Sequence, residues 1–390
     1  MDKLKSKLQN TDWWEIGYLV IYGAIFCYDF LNSTMFQVQW PPRFGYIFFA
    51  ASALYTIAKF IWHNTYTKKE MLLSVLILIA FIVPAFVTEY SFLFWIGFLI
   101  VGAKDIDFDK LLKVYLTLGI TIMIAAFVAS QAGWIENLVY EVLRDGEIVV
   151  RQSYGSVYPT DFSAHLFYLG IAGICLCENR ITWGKIINFV LLAVFVLDKC
   201  DARTSFICML AMAFMLAFVY LCKDKIKSNW CYYLLNSANI VFAALHIGLS
   251  HLYDPANEVM YKINDILTER LNISKLAIDV YGYKLFGQSV WERGNGRTLE
   301  EAVDYFYVDV SYMRMAILYG VALFAVVLVM FWIAGVKAIQ KKRIIILVSI
   351  AVIALHSFME HHLIEVAFNP MLCLLFTNLR EKEEIVRRNQ

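Results

Sequence analysis

The sequence is dominated by apolar runs, each close to the length that crosses a lipid bilayer. A membrane-spanning helix needs about 20 mostly apolar residues, and about twelve such runs follow one another along this chain. Charged residues make up only 17% of its 390 residues, against roughly 25% in soluble domains. The sequence therefore predicts an all-α, polytopic integral membrane protein with about twelve transmembrane helices, residues 1–390 forming a single membrane domain. The predicted spans are 13–30, 44–62, 71–88, 90–103, 112–132, 156–177, 184–199, 203–222, 231–250, 308–335, 343–359 and 362–379.

Lysine and arginine are distributed unevenly between the two sides of these spans. Cytoplasmic connections of membrane proteins are enriched in both residues. With the N-terminus inside, every inside connection is basic, as at Lys68-Lys69 and Lys341-Lys342-Arg343. The basic start MDKLKSKLQN is followed by an apolar run without a cleavage site, so no removable signal peptide is expected. Both termini are predicted to be cytoplasmic.

One long polar interval, residues 251–307, interrupts the apolar runs and is predicted to lie on the extracytoplasmic side. Such a block adds nothing to membrane anchoring, so we expect a lid over an active site. Apolar residues at helical spacing predict an amphipathic helix over Pro255–Leu271, capped by Asp254. A second short helix is expected over 273–281. The glycine-rich segment 292–297 predicts an irregular lip.

A first polar group opens the sixth predicted span from outside. Arg151 lies at its mouth, followed by Tyr158, Asp161 and His165. Asp161 and His165 are four residues apart and would share one helical face. An arginine there can hold a phosphate through two hydrogen bonds, which lysine cannot do. The alternative is an interfacial arginine that reaches to lipid headgroups.

A second group, Asp201-Ala202-Arg203-Thr204-Ser205, opens the eighth predicted span. An arginine in a short outward connection departs from the usual distribution of basic residues. Thr204 and Ser205 are suited to cap the helix, with Arg203 directed toward the mouth. A functional and a structural role fit this segment equally well.

A third group contains Asp309, Tyr312 and Arg314 at the start of the tenth predicted span. An ionisable residue inside a membrane costs several kcal/mol unless it is paired, and is often functional. Asp309 and Arg314 are about one helical turn apart, so a structural ion pair between them is the alternative.

A fourth group, Glu360-His361-His362 with Glu365, lies at the turn before the last predicted span. His361 and Glu365 would share a helical face, but the sequence identifies no third ligand, so a polar turn is favoured over a metal site. The chain also lacks a Walker loop, a dinucleotide glycine pattern, an HExxH motif and a nucleophile elbow. We therefore expect no metal, no cofactor and no nucleic acid partner, and any reaction must draw its energy from the substrate.

Four segments together match a known family in their order and spacing. The first is Arg151–Thr160, with its R-x-x-x-G-x-x-x-P pattern, and the second is Asp201–Ser205, which is similar to S-R-T-S. The third is Thr268-Glu269-Arg270 with Lys284–Gly287, which is similar to an arginine helix followed by an L-F-G-x-G turn. The fourth is Asp309–Tyr312 with Tyr319-Gly320, which is similar to D-N-x-Y followed by Y-G. In these motifs the chain resembles the Wzy-type polysaccharide polymerases and their relatives, the O-antigen ligases. Val310 stands in place of the usual asparagine, and Ser289 in place of the second glycine.

The resemblance implies a glycosyltransferase in the bacterial cytoplasmic membrane with its active site facing outward. Its substrates would be oligosaccharide repeat units of an O-antigen, capsule or exopolysaccharide, carried on undecaprenyl pyrophosphate. The lipid bilayer, a flippase and a chain-length regulator would be its partners. Arg151 and Arg203 would hold the pyrophosphate and stabilise its developing charge. Catalysis in this family needs no metal.

The resemblance also implies a carboxylate base for the acceptor hydroxyl, and we assign that role to Asp309. Asp304, His165 and Glu365 remain open as alternatives. The residues assigned to substrate binding are Arg270, Arg314, Tyr158, Asp161, His165, Tyr312 and His362.

Two other functions are weighed against the polymerase. A ligase of the same fold would move a finished glycan to another acceptor, but the aspartate at 309 argues against it because the ligases carry histidine in that region. A flippase or transporter should carry paired charges along several spans. Here the ionisable residues gather at the outer ends instead, which favours chemistry at the membrane surface.

Overall fold

The computed structural model is 70% helical and nearly all-α. It describes residues 12–38, 40–41, 43–63, 65–144, 146–222, 229–299 and 303–381. The helices are α1 (Trp13–Asn32), α2 (Phe44–Ala58), α3 (Lys68–Thr88), α4 (Phe92–Gly102), α5 (Phe108–Gln131), α6 (Pro159–Leu176), α7 (Trp183–Cys200), α8 (Arg203–Cys222), α9 (Asn229–Asn236), α10 (Ala238–Leu252), α11 (Glu258–Ile266), α12 (Arg270–Tyr281), α13 (Ser311–Arg314), α14 (Val321–Gln340) and α15 (Ile344–Ser357). Within these residues, six helices are long and apolar enough to cross a membrane, or up to seven if the bent pair α9–α10 is one span. The predicted count of about twelve is not confirmed.

Several apolar runs are buried inside the bundle or are too short to count among these helices. Every residue of α4 from Leu93 to Gly102 is buried, and α15 is only 14 residues long. The last predicted span, 362–379, contains the short 3-10 helix Pro370–Leu375 in the core. Asn369 caps this short helix, since its side chain accepts a hydrogen bond from Met371 N, and Pro370 occupies the first position, where a missing backbone N–H is tolerated. Apolar length alone does not distinguish such a buried segment from a lipid-facing helix.

Large apolar side chains cover the outside of the bundle. Leu72 on α3, Ile124 on α5, Leu191 on α7 and Phe214 on α8 are each more than half exposed. A soluble monomer rarely exposes apolar patches larger than a few hundred Å². A lipid bilayer would surround these side chains with apolar material, as expected for a membrane protein.

Buried ion pairs tie together one end of the bundle. Arg343 precedes α15 and is 1% exposed. Its guanidinium contacts Glu178 at the end of α6 and Asp109 at the start of α5. This end carries the connections predicted to be cytoplasmic. The terminal segments 1–11 and 382–390, whose location was predicted, fall outside the described residues.

A β-hairpin stands at the opposite end, between the fifth and sixth predicted spans, where no strand was predicted. Strands β1 (Val139–Arg144) and β2 (Glu147–Gln152) pair antiparallel, with Val139 opposite Gln152 at one end and Arg144 opposite Glu147 at the other. Alternate side chains point to opposite faces of a strand. Leu143 and Ile148 are therefore exposed on one face, while Arg144 and Arg151 lie on the face that lines a cavity.

The long polar interval folds as a lid with the two predicted helices, at shifted boundaries. Asn257, and not Asp254, caps the first helix, since its side chain accepts hydrogen bonds from Val259 N and Met260 N. Helix α11 ends at Ile266 because Thr268 and Glu269 both have positive φ. The second helix begins at Arg270, earlier than predicted.

Two glycines join the lid to the start of the next span. Gln288 N donates to Leu318 O at 3.0 Å, which brings the Gly287 and Gly320 segments side by side. Both glycines have positive φ. A Cβ atom on Gly287 would lie 2.3 Å from the carbonyl oxygen of Leu318, so only glycine fits. Two motifs that carry the family resemblance therefore meet in one backbone contact.

Candidate functional site

A cavity of about 1180 Å³ lies at the end of α15 opposite Arg343. It is enclosed by the cavity face of the hairpin, the first turns of α6, α8 and α12, the lid segments 294–299 and 305–309, and the turn that follows α15. These elements are distant in sequence, and each contributes ionisable or aromatic side chains. The predicted lid thus forms one wall of a site whose other walls come from the bundle.

One wall of the cavity is basic and is centred on Asp201. Arg144 Nε lies 2.9 Å from Asp201 Oδ2, and Arg203 Nε lies 3.5 Å from Asp201 Oδ1. Arg151 Nε donates to the carbonyl oxygen of Cys200 at 3.1 Å. Two guanidinium groups therefore contact the Asp201 carboxylate, and a third is held by the backbone of the preceding residue, which leaves an excess of positive charge facing the cavity.

A second wall is acidic and is built around Arg270. Its Nη2 lies 3.5 Å from Asp309 Oδ2 and 3.7 Å from Glu360 Oε1. Its Nη1 donates to Thr268 Oγ1 at 2.7 Å, so the strained turn before α12 holds the arginine in place. Burial raises the pKa of both Asp309 and Glu360, and the nearby Arg270 only partly offsets this rise.

Glu365 holds two adjacent imidazoles beside the acidic wall. Its Oε2 lies 2.8 Å from His362 Nδ1, and its Oε1 lies 3.4 Å from His361 Nε2. Burial raises the pKa of Glu365, but the two histidines outweigh it and lower that pKa to about 2. Burial lowers the pKa of His361 to about 3. Burial also lowers the pKa of His362, but Glu365 outweighs this effect and the net shift is upward.

The same turn contains three residues that could hold a metal ion. One donor atom each of Glu360, His361 and His362 lies within 4.8 Å of the other two. The prediction of no metal rested on the lack of a third ligand for His361 and Glu365. The third donor is Glu360, the residue directly before the two histidines.

The cavity brings together seven of the predicted site residues. They are Arg151, Arg203, Asp309, Arg270, Tyr158, Asp161 and His362. Glu365, an alternative base, also lines the cavity. Asp304, another alternative, is exposed and does not line it.

Three predicted binding residues lie behind the walls instead of on them. His165 stacks between Phe30 and Phe368, with ring centroids 3.8 and 4.0 Å away. Tyr312 is fully buried and donates to the carbonyl oxygen of Ala354 at 3.0 Å. Neither residue is among those that line the cavity, and their assignment to substrate binding stays a prediction.

Arg314 is the third, and it pairs with Glu292 instead of forming the ion pair with Asp309 that was weighed as an alternative. Its guanidinium donates to both carboxylate oxygens of Glu292, at 2.8 and 2.9 Å. The Tyr307 ring covers the guanidinium at 4.6 Å. Asp309 pairs instead with Arg270. Arg314 therefore fastens the lid to the bundle through Glu292 and does not face the cavity.

Arg144 and Asp29 are ionisable residues of the cavity that were not singled out from the sequence. Arg144 lies on β1 and belongs to the basic wall. Asp29 ends the first apolar run, lines the cavity, and its Oδ2 accepts from Ala367 N at 3.0 Å. A carboxylate inside an apolar span is itself a signal of function, and it would have identified Asp29.

Comparisons with protein-family models, with curated proteins and with solved structures found no match.

Proposed function

We propose that this chain is a membrane glycosyltransferase that joins oligosaccharide repeat units carried on undecaprenyl pyrophosphate, a polysaccharide polymerase of the outer face of the bacterial cytoplasmic membrane. The observation that supports this proposal best is the pairing of a basic wall with an acidic wall in one cavity. Arginine suits the diphosphate of a donor, while carboxylates and aromatic side chains suit the hydroxyl groups and faces of sugars.

In the proposed reaction, an acceptor hydroxyl attacks the anomeric carbon of the donor repeat unit. The bond from that carbon to the pyrophosphate oxygen breaks, and the oxygen leaves with the electron pair. Asp309 takes the proton of the hydroxyl, since its raised pKa makes it a stronger base than a free aspartate. Arg151 and Arg203 stabilise the charge that develops on the leaving pyrophosphate.

The basic wall is tested with Arg151→Ala and Arg203→Ala in cells that depend on this chain for long glycan. Loss of a group that stabilises transition-state charge costs about 10²–10³-fold in rate, so each variant should lose long-chain glycan on a gel. Membrane protein levels, measured by immunoblot, should stay unchanged. Arg293→Ala is the matched control, because Arg293 is an exposed lid arginine outside the cavity lining. Long polymer in both wall variants would contradict the proposed role of the arginines.

One observation favours a ligase of the same fold as the second candidate. The ligases carry a histidine in the region of Asp309, and here His361 Nδ1 lies 3.9 Å from Asp309 Oδ1. His361 is therefore close to Asp309 in space, although Asp309 itself occupies the sequence position that corresponds to the histidine of the ligases. Product analysis separates the two candidates: a polymerase gives a ladder of repeat units, whereas a ligase gives one transfer to a different acceptor.

A further inference from the structure

Each imidazole of the His361-His362 pair has one nitrogen engaged with Glu365 and one nitrogen without a partner. His361 Nδ1 and His362 Nε2 are buried and make no hydrogen bond within the described residues. His362 is only 1% exposed. Buried polar atoms are normally satisfied, so these two nitrogens are available to a ligand.

Carboxylate oxygens lie near both free nitrogens without bonding to them. His361 Nδ1 lies 3.9 Å from Asp309 Oδ1, and His362 Nε2 lies 4.0 Å from Asp161 Oδ1. These separations are too long for hydrogen bonds. The two aspartates therefore leave both nitrogens open on the cavity side.

Glu365 relates to the two histidines as a supporting carboxylate does in metal sites. A metal-bound histidine usually gives its other ring nitrogen to a carboxylate or carbonyl, which fixes the orientation of the ring. Glu365 does this for His361 and His362 at once, through its two oxygens. Glu360 adds a carboxylate oxygen that lies within 4.8 Å of one ring nitrogen of each histidine. Two imidazoles and one carboxylate are a donor set used by zinc enzymes.

The charge around this cluster also calls for a cation. Five carboxylates line this part of the cavity: Asp29, Asp161, Asp309, Glu360 and Glu365. Among the described residues, the arginine or lysine ion pairs of these five involve Arg270 alone. The remaining arginines of the cavity belong to the Asp201 wall or contact backbone oxygens. A divalent ion would supply the positive charge that the protein does not provide.

We propose that Glu360, His361 and His362 bind a divalent transition-metal ion of the zinc type, with Glu365 positioning both imidazoles. Asp161 and Asp309 flank the ion from the cavity side. This site does not rest on the proposed polymerase function, and it departs from the metal-free chemistry that the family resemblance implies.

The test is direct binding of Zn²⁺ to the full-length protein in detergent, after removal of metal with a chelator. Equilibrium dialysis with elemental analysis should find one Zn²⁺ per chain. His361→Asn and His362→Asn should each weaken binding by about 100-fold or more, and Glu365→Gln by about 10–100-fold as a positioning residue. His251→Gln is the matched control, because His251 is exposed and contacts Tyr283 in the lid. It should bind as the wild type does.

A second measurement keeps the test independent of how the variants fold. Co²⁺ added to the metal-free wild-type protein should give the visible absorption of a site with nitrogen and oxygen ligands, and Zn²⁺ should displace it. Failure of the wild type to bind either ion would overturn the proposal. Equal Zn²⁺ binding by the wild type and by a folded double variant, His361→Asn with His362→Asn, would overturn it as well. Because the readout is binding, failure here is distinguishable from failure of the glycosyltransferase proposal.

Discussion

Asp201 organises the basic wall of the cavity from an unusual backbone position. It ends α7 with φ of 44°, in the left-handed region that aspartate tolerates better than most residues. From there its two oxygens reach Arg144 and Arg203 on different elements. A pyrophosphate at this wall would compete with Asp201 for the same guanidinium groups. The carboxylate therefore keeps the arginines oriented toward one point before a substrate arrives.

Asp309 should limit activity at low pH. Burial raises its pKa, and Arg270 offsets this only in part. A base must be ionised, so the rate should fall as the pH drops through this raised pKa, above the value of about 3.9 for a free aspartate. Asp309→Asn should abolish turnover, while Asp304→Asn, at an exposed residue outside the cavity lining, should not. Initial rates of glycan extension in membranes, measured across pH, check this, and full activity of Asp309→Asn would assign the base to another group.

At the scale of elements, the two lid helices could be predicted because their apolar residues recur at helical spacing. The hairpin was missed, although Val139–Arg144 and Glu147–Gln152 flank Asp145-Gly146, a dipeptide typical of hairpin turns. The composition of the whole chain favoured helices and hid this local signal. The contact of Arg314 with Glu292 could not be predicted, because it joins residues 22 positions apart through an irregular part of the lid.

The Glu292–Arg314 pair should be essential for holding the lid on the bundle. Both side chains are 9% exposed, and breaking a buried ion pair by removing one partner costs about 3–5 kcal/mol. Glu292→Gln should therefore lower the melting temperature of the purified protein markedly. Glu258→Gln removes the exposed Glu258–Lys262 pair of α11 and should leave it nearly unchanged. Equal melting temperatures for the two variants would argue against a fastening role.

At the scale of the whole molecule, the membrane class was predictable from composition, but the number of spans was not. Apolar runs such as α4, α15 and 362–379 are equally apolar whether they contact lipid or the core, and only tertiary packing decides between these positions. The same holds for the candidate site, whose motifs were predictable from the sequence although their arrangement in space was not. Arg151, Arg203, Arg270 and Asp309 belong to separate sequence motifs, and the fold brings them to one cavity. The buried residues His165 and Tyr312 were assigned to it because sequence spacing does not reveal which face of a helix is covered.

The orientation in the membrane is tested with single cysteines at the two ends of the bundle. In a variant whose natural cysteines are replaced by serine, Thr298→Cys at the exposed lid should react with a membrane-impermeant thiol reagent in intact cells. Lys342→Cys, exposed beside Arg343, should react only after the membrane is permeabilised, since basic connections face the cytoplasm. The reverse pattern would place the cavity on the cytoplasmic side and exclude the proposed substrate.

The contact between Gly287 and Gly320 has a consequence for how such a protein can diversify. The lid is fixed to the bundle at this contact, and inside the lid Arg293 and Phe306 exchange two backbone hydrogen bonds. The chain between Arg293 and Phe306 can therefore gain or lose residues without displacing Asp309, which follows the paired residues. Surface loops of this kind tolerate insertions better than the elements that carry them. Sequence change in that interval would reshape the cavity wall at 294–299, while Asp309 keeps its place.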